Sequence, residues 1–431
     1  MLINTFIKKI QKFLNPIYSN SIFLQRIDIF LGMSIFLLIF SSTIASSDFI
    51  GYFALASIIL TVIKILTKTN EQIDLSLSDK ILVVYLMFVL ISVAGSSLFY
   101  LSIKGAFKTF TYLGFYLSVV EYLKDNKDKI KYIFIAFCLC SFYETIFALL
   151  QNIGAVEEIA GWQDMSHLNP EEVMTRVYGT LQPYNPNLFG GYLLSIIPAF
   201  ITLPFINKKL LPFSIVGGLL SVLSLILTGC RGAYIGLFFE IAVIILLSYK
   251  LIKPIYKKIY LSIISILTIL SAFIITSISS LRARILSIFA MRSDSSNSFR
   301  FNVYNSCINM FKDNWLLGIG CGNQNFREIY GLYMKTGFDA LSAYNIYLEI
   351  AVESGIFALI SFLIFIILKI NNAIRFIFSN KSVETIYIIA ALLSLAGMMT
   401  HGIVDTVFFR PQIQFVFWVM IGIIRVLGEK C

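Results

Sequence analysis

Charge is scarce in this sequence. Only 13% of its 431 residues are Asp, Glu, Lys or Arg, about half of the ~25% that a soluble globular chain carries. With 58% apolar residues, 39 of them phenylalanine, there are too few polar groups to cover a water-facing surface. A mean hydropathy of +0.83 calls for lipid as the solvent. The sequence also lacks the alternation of apolar and polar residues, over about ten positions, that a membrane β-barrel strand needs. Its apolar stretches are continuous, as at 30–40, 196–205 and 239–247. Helices satisfy their own backbone in hydrocarbon, so the sequence predicts an all-α, polytopic transmembrane helix bundle.

Further absences narrow the chemistry. The six cysteines show no metal-ligand spacing. Cys138 and Cys140 fall in one apolar run and Cys431 ends the chain, which leaves Cys230, Cys307 and Cys321 on one side of the membrane, an odd number. Neither a disulfide framework nor a metal or cofactor site is expected. No short apolar core followed by a small-residue cleavage site opens the chain. Residues 1–28 are basic and amphipathic instead, and are expected to lie along the cytoplasmic surface before the first span. The net charge of +10 is assigned to the cytoplasmic Lys/Arg excess of a membrane protein, so no nucleic acid partner is expected and membrane lipid is.

Twelve spans are predicted: 29–46, 49–67, 81–99, 105–122, 131–153, 187–206, 211–229, 232–249, 259–277, 347–368, 384–402 and 411–428. Lys108 weakens the fourth, and Glu349 and Glu353 weaken the start of the tenth. With the N-terminus inside, most of the 34 basic residues fall in cytoplasmic segments, which favours twelve spans with both termini cytoplasmic. The chain then divides into the N-terminal segment 1–28, five spans over 29–153, a periplasmic loop over 154–186, and spans six to nine over 187–277. A large periplasmic loop over 278–342 and three C-terminal spans over 343–431 complete it.

The loop at 154–186 is acidic, with Glu157, Glu158, Asp164, Glu171 and Glu172. The loop at 278–342 carries Arg282, Arg284, Arg292, Arg300, Lys312, Arg327 and Lys335. Loops this long are functional or disordered, and the second is too aromatic for disorder. Val303, Cys307, Phe311 and Trp315 recur every four residues and predict an amphipathic helix.

Three outer arginines stand beside tight backbone signals: Arg176 before Val-Tyr-Gly-Thr-Leu-Gln-Pro, Arg231 in Thr-Gly-Cys-Arg-Gly, and Arg300 at the head of the amphipathic helix. A guanidinium held at membrane depth wants an anionic partner, and its fork suits a diphosphate. The alternative is that each snorkels to lipid phosphate. Arg282, Arg284 and Arg292 read as a solvated basic face. Gly318, Gly320 and Gly322 form a turn rather than a dinucleotide site, since no strand precedes them. Tyr344 and Tyr347 line a cavity or belong to an interfacial aromatic belt. His401 and Asp405 end the eleventh span on the outer side, where a lone histidine is more often structural. Glu144 and Glu240 fall mid-span and either couple an ion or pair locally.

Taken together, the stretches Arg176–Asn187, Leu227–Gly236, Arg300–Gly322, and Tyr344-Asn345-Ile-Tyr347-Leu348 with Gly355 resemble the O-antigen ligase/polymerase superfamily over roughly residues 170–425. The resemblance implies metal-independent, inverting glycosyl transfer on the outer face of the inner membrane. A polyprenyl-diphosphate-linked glycan is the donor it implies, and lipid A-core or another glycan the acceptor. Arg176, Arg231 and Arg300 would grip the diphosphate. Ligases place a histidine before the asparagine matched by Asn345; here that residue is Tyr344, and a neutral phenol is a poor base. His401 or Asp405 would have to substitute. The stretches around Trp162, 169–182 and 341–347 look closest to a cyanobacterial branch to which bicarbonate transport is attributed by name. Three readings therefore stand: a transferase, an inorganic-carbon uptake protein or accessory, and a non-catalytic glycan-lipid binder.

Overall fold

The computed structural model describes residues 2–68, 72–156 and 175–429. The acidic cluster Glu157, Glu158, Asp164, Glu171 and Glu172, together with Trp162 and Cys431, lies outside the described residues.

Helix α1 (Leu2–Asn20) leads into a first group of spans: α2 (Ile27–Ile44), α3 (Ser47–Thr67), α4 (Leu77–Gly95), α5 (Phe99–Asp125) and α6 (Ile130–Asn152). A second group comprises α7 (Pro186–Ile206), α8 (Leu211–Leu227), α9 (Arg231–Leu251) and α10 (Lys257–Ser277). Then follow the short α11 (Ser279–Leu286), the 19-residue α12 (Ser295–Asp313) and the short α13 (Asn323–Tyr330). The chain closes with α14 (Ile346–Ser379), α15 (Val383–His401) and α16 (Pro411–Gly428). The start signals are side-chain caps. Ser76 and Asp79 form a reciprocal capping box at α4, and the Asn185 and Asn345 carboxamides accept backbone N–H groups at α7 and α14.

Eleven of these helices are long and apolar enough to cross a membrane, so the chain is a multi-pass membrane protein. The remaining predicted span, the fourth at 105–122, lies within α5. At 27 residues α5 is long enough to cross, but Lys104 and Lys108 near one end and Glu121, Lys124 and Asp125 at the other lower its hydropathy below that of its neighbours. It nevertheless runs the full height of the bundle. Asp125 bonds Lys64 and Lys68 at the far end of α3, while a Cβ on Gly105 would strike the Cys321 carbonyl at the opposite end.

Direct association of helices in lipid depends on close packing rather than on hydrophobic transfer. Gly236 and Gly397 let α9 and α15 approach so closely that a Cβ on Gly236 would stand 3.0 Å from the Gly397 carbonyl oxygen. By contrast, none of α10 is buried; a helix apolar on every face is solvated by lipid alone.

Long helix α14 is broken once, at Gly355, which takes φ +80°. Segment Trp315–Gly322 docks into the break. Ile319 and Gly320 donate to the Val352 and Glu353 carbonyls at 2.9 Å, and Ile356 N–H donates to Trp315 O at 2.9 Å. Gly318, Gly320 and Gly322 all take positive φ. The glycine repeat, expected as a turn, is an irregular, bent strap that satisfies the backbone freed by the break, the condition on which irregular backbone persists at membrane depth.

The end of the bundle that holds both described termini is closed by ion clusters. Lys369, itself fully buried, contacts Glu429 at 2.8 Å and Asp79 at 3.7 Å, and Arg425 contacts Asp79 at 2.7 Å. The Tyr116 hydroxyl donates to Asp79. Nearby, Lys64 and Lys68 bridge Asp28 and Asp125.

Candidate functional site

At the other end, the turns that join the spans carry a connected arginine–aspartate network. Arg176 lies over the Gly229 turn, its Nε donating to Thr228 O at 2.7 Å and its terminal nitrogen to Asn187 Oδ1 at 2.6 Å. Gly229 has φ +60°, and a side chain there would press on Arg176. The Asn187 amide in turn donates to Asp405 Oδ2 at 3.0 Å. Asp405, buried, also accepts the Thr406 and Val407 N–H groups at 2.7 and 3.2 Å, and stands 3.7 Å from the Arg300 guanidinium. That guanidinium faces the Tyr344 ring at 5.8 Å, and its buried Nε has no hydrogen-bond partner.

Arg231 belongs to an adjoining branch. It ion-pairs with Asp294 at 2.9 Å and donates to Ser287. Asp294 caps α12, the helix on which Arg300 sits. Arg284, expected on a solvated face, is buried and donates to Gly229 O at 2.7 Å. Arg282 and Arg292 are exposed. The difference arises because α11 folds back over the Gly229 turn, where a free carbonyl needs a donor.

His401 and Asp405 are one turn apart but face different surroundings. His401 is enclosed between Gly191 and Gly232, with Nε2 3.6 Å from the Cys230 sulfur. Asn345 is occupied as the cap of α14, and its amide donates to Ile403 O at 2.8 Å. Tyr344 takes φ 52° and its carbonyl accepts from Tyr304 at 3.1 Å. Burial pushes its phenol above the usual 10.0; Asp405 adds to the rise and Arg300 opposes it. The ring therefore keeps its proton at neutral pH.

Beside this network lies a cavity of about 560 Å³, within the range of small-ligand and cofactor sites. Asn187, Tyr344 and Asp405 form one wall, whereas Arg176, Arg231 and Arg300 stand behind them and do not line it. Its other walls are mixed. Tyr52, Leu55, Phe107 and Phe409 are apolar or aromatic, and Asp48, Lys108 and Arg410 are charged. Sequence reasoning missed the last two as site residues: Lys108 read as a flaw in a span, and Arg410 carried no motif.

The mid-span carboxylates lie elsewhere. Glu144 accepts the Thr180 hydroxyl and N–H at 2.6 and 2.8 Å. Glu240 lies against Gly397, with Oε1 unbonded. No hydrogen bond among the described residues connects the two. Also among the described residues, no group of three or more His, Cys, Asp or Glu side chains could hold a metal, and Cys138, Cys140, Cys230, Cys307 and Cys321 are free thiols.

Residues 216–363 match the family model described as O-Antigen ligase. That interval contains Arg231, Arg300, Tyr344 and Asn345; Arg176, His401 and Asp405 fall outside it. No curated protein matches the chain.

Proposed function

From the premise that the chain belongs to the O-antigen ligase superfamily through residues 216–363, we propose that it transfers glycan from a polyprenyl-diphosphate carrier at the periplasmic face of the inner membrane. Asp405 supports this reading most directly. It is the network carboxylate on the cavity wall, and it is oriented by Asn187 and two backbone N–H groups while Arg300 and Tyr344 flank it.

Where ligases use histidine, Asp405 accepts the proton of the acceptor hydroxyl. The hydroxyl oxygen bonds to the anomeric carbon as the carbon–oxygen bond to the diphosphate breaks. The departing diphosphate takes the electron pair, and fixed cations stabilise the charge that develops on it. Tyr344, still protonated, donates a hydrogen bond rather than removing a proton. Arg176 holds Asn187, and through it Asp405, while Arg231 fixes α12 and therefore Arg300. In this role the arginines position the wall from behind it.

Reconstitution of the full chain in nanodiscs with a polyprenyl-diphosphate oligosaccharide and a lipid A-core acceptor tests the proposal. Release of polyprenyl diphosphate coupled to acceptor glycosylation is expected. Asp405→Asn should lower the rate by about 10²–10⁴-fold without loss of folded protein. An unchanged rate in that variant removes Asp405 as base. Absence of transfer by a folded wild type that still binds the donor leaves the glycan-lipid binder reading instead.

A further inference from the structure

The network arginines have internal partners, so the cations without partners at this end of the bundle lie elsewhere. Two of them line the cavity. Lys108 on α5 and Arg410 at the head of α16 are exposed, and neither forms an ion pair or a side-chain hydrogen bond among the described residues. Their helices pack along each other. Tyr112, one turn beyond Lys108, meets Phe415, about one turn beyond Arg410, in an edge-on contact at 5.3 Å. The two cations therefore sit at one level above a shared aromatic floor. The Tyr112 phenol lies within electrostatic reach of Arg410. Next to them the wall is mixed: Phe107 and Tyr52, 63% and 67% exposed on α5 and α3, are aromatic, and Asp48, one turn before Tyr52, is acidic.

We propose that Lys108 and Arg410 grip the diphosphate head of a polyprenyl-diphosphate lipid whose chain runs out between α3 and α5 along Phe107 and Tyr52. This rests on the transfer reading above and supplies what that reading leaves open, the residues that hold the leaving group. Unpaired cations beside exposed aromatic side chains suit an amphiphile with an anionic head, since the head replaces water around the charges while the chain covers the aromatics. The acceptor then enters from the Asn187–Asp405–Tyr344 wall, so donor and acceptor approach from opposite sides of the cavity.

The test is equilibrium binding of geranylgeranyl diphosphate to the full chain in neutral phosphatidylcholine nanodiscs. Geranylgeraniol, inorganic pyrophosphate and discs containing phosphatidylglycerol serve as the comparison arms. Wild type is expected to bind the diphosphate lipid, with geranylgeraniol and inorganic pyrophosphate each at least tenfold weaker. Lys108→Gln and Arg410→Gln should each weaken binding about tenfold. Lys108→Arg should restore it, and the slope of affinity against salt should fall in both Gln variants. Undiminished binding in the folded double variant overturns the assignment without touching the transfer reading. Equal binding of inorganic pyrophosphate, or full competition by phosphatidylglycerol, overturns the diphosphate-lipid specificity. A wild type that binds no diphosphate lipid overturns both.

Discussion

The two ends of the bundle handle charge in opposite ways. Where the termini lie, Lys369 and Arg425 are matched by Asp79 and Glu429, and Lys64 and Lys68 by Asp28 and Asp125. In each cluster every cation stands against a carboxylate, at 2.7 to 2.9 Å. At the other end, Arg231 pairs with Asp294 and Arg300 approaches Asp405, while Lys108 and Arg410 border an open cavity with no ion pair among the described residues. A balanced buried cluster needs nothing from outside. Two unpaired cations at a cavity invite an anionic ligand, which is why the second end and not the first is proposed as the working one.

The largest test of that contrast removes one member of the balanced cluster. Lys369→Met should leave Asp79 and Glu429 short of a cation and destabilise the fold by about 3–5 kcal/mol, read as a lowered unfolding temperature in detergent, while turnover per folded molecule stays the same. A variant with wild-type stability would make the cluster dispensable and blur the comparison. A smaller loss is expected from Gly355→Ala. Its φ of +80° disfavours a side chain, and the new Cβ would collide with Leu316 O. A cost of at least ~1–3 kcal/mol should release the strap at Trp315–Gly322, measured as faster amide exchange at Ile319, Gly320 and Ile356.

Tyr344→Phe sharpens the contrast within the site and should have the smallest effect. Burial and Asp405 hold the phenol above 10.0. A raised value means that the proton leaves only at more alkaline pH, so no ionisation of Tyr344 falls between pH 7 and 9. The variant should change transfer by less than about tenfold, well below the 10²–10⁴-fold of a general base, with an unaltered pH profile over that range. A rate that climbs as the phenol loses its proton, and does so only with Tyr344 present, would reinstate the tyrosine as base.

Much of the site was legible in part. Arg176, Arg231, Arg300, Tyr344 and Asp405 announced themselves through turn chemistry and position at span ends, and all of them fall at one end of the bundle. Their partners did not. Asp294 reads in sequence as one more loop acid, yet it caps α12 and neutralises Arg231. Arg284 was indistinguishable from Arg282 until α11 folded back onto Gly229. Lys108 looked like an obstacle to a span because hydropathy averages a helix over all its faces, whereas one charged residue near the end of α5 can face a cavity.

From the sequence alone came the solvent, the helical class, and the run of apolar segments, because these depend on local composition and on the length a chain needs to cross lipid. The docking of a glycine strap into a broken helix, the pairing of each arginine with its aspartate or amide, and the two cations left over at a cavity were decided by tertiary structure. They join residues far apart in sequence, 218 positions for Asn187 and Asp405 and 346 for Asp79 and Arg425, and no local pattern encodes which distant charges will meet and which will remain open to a ligand.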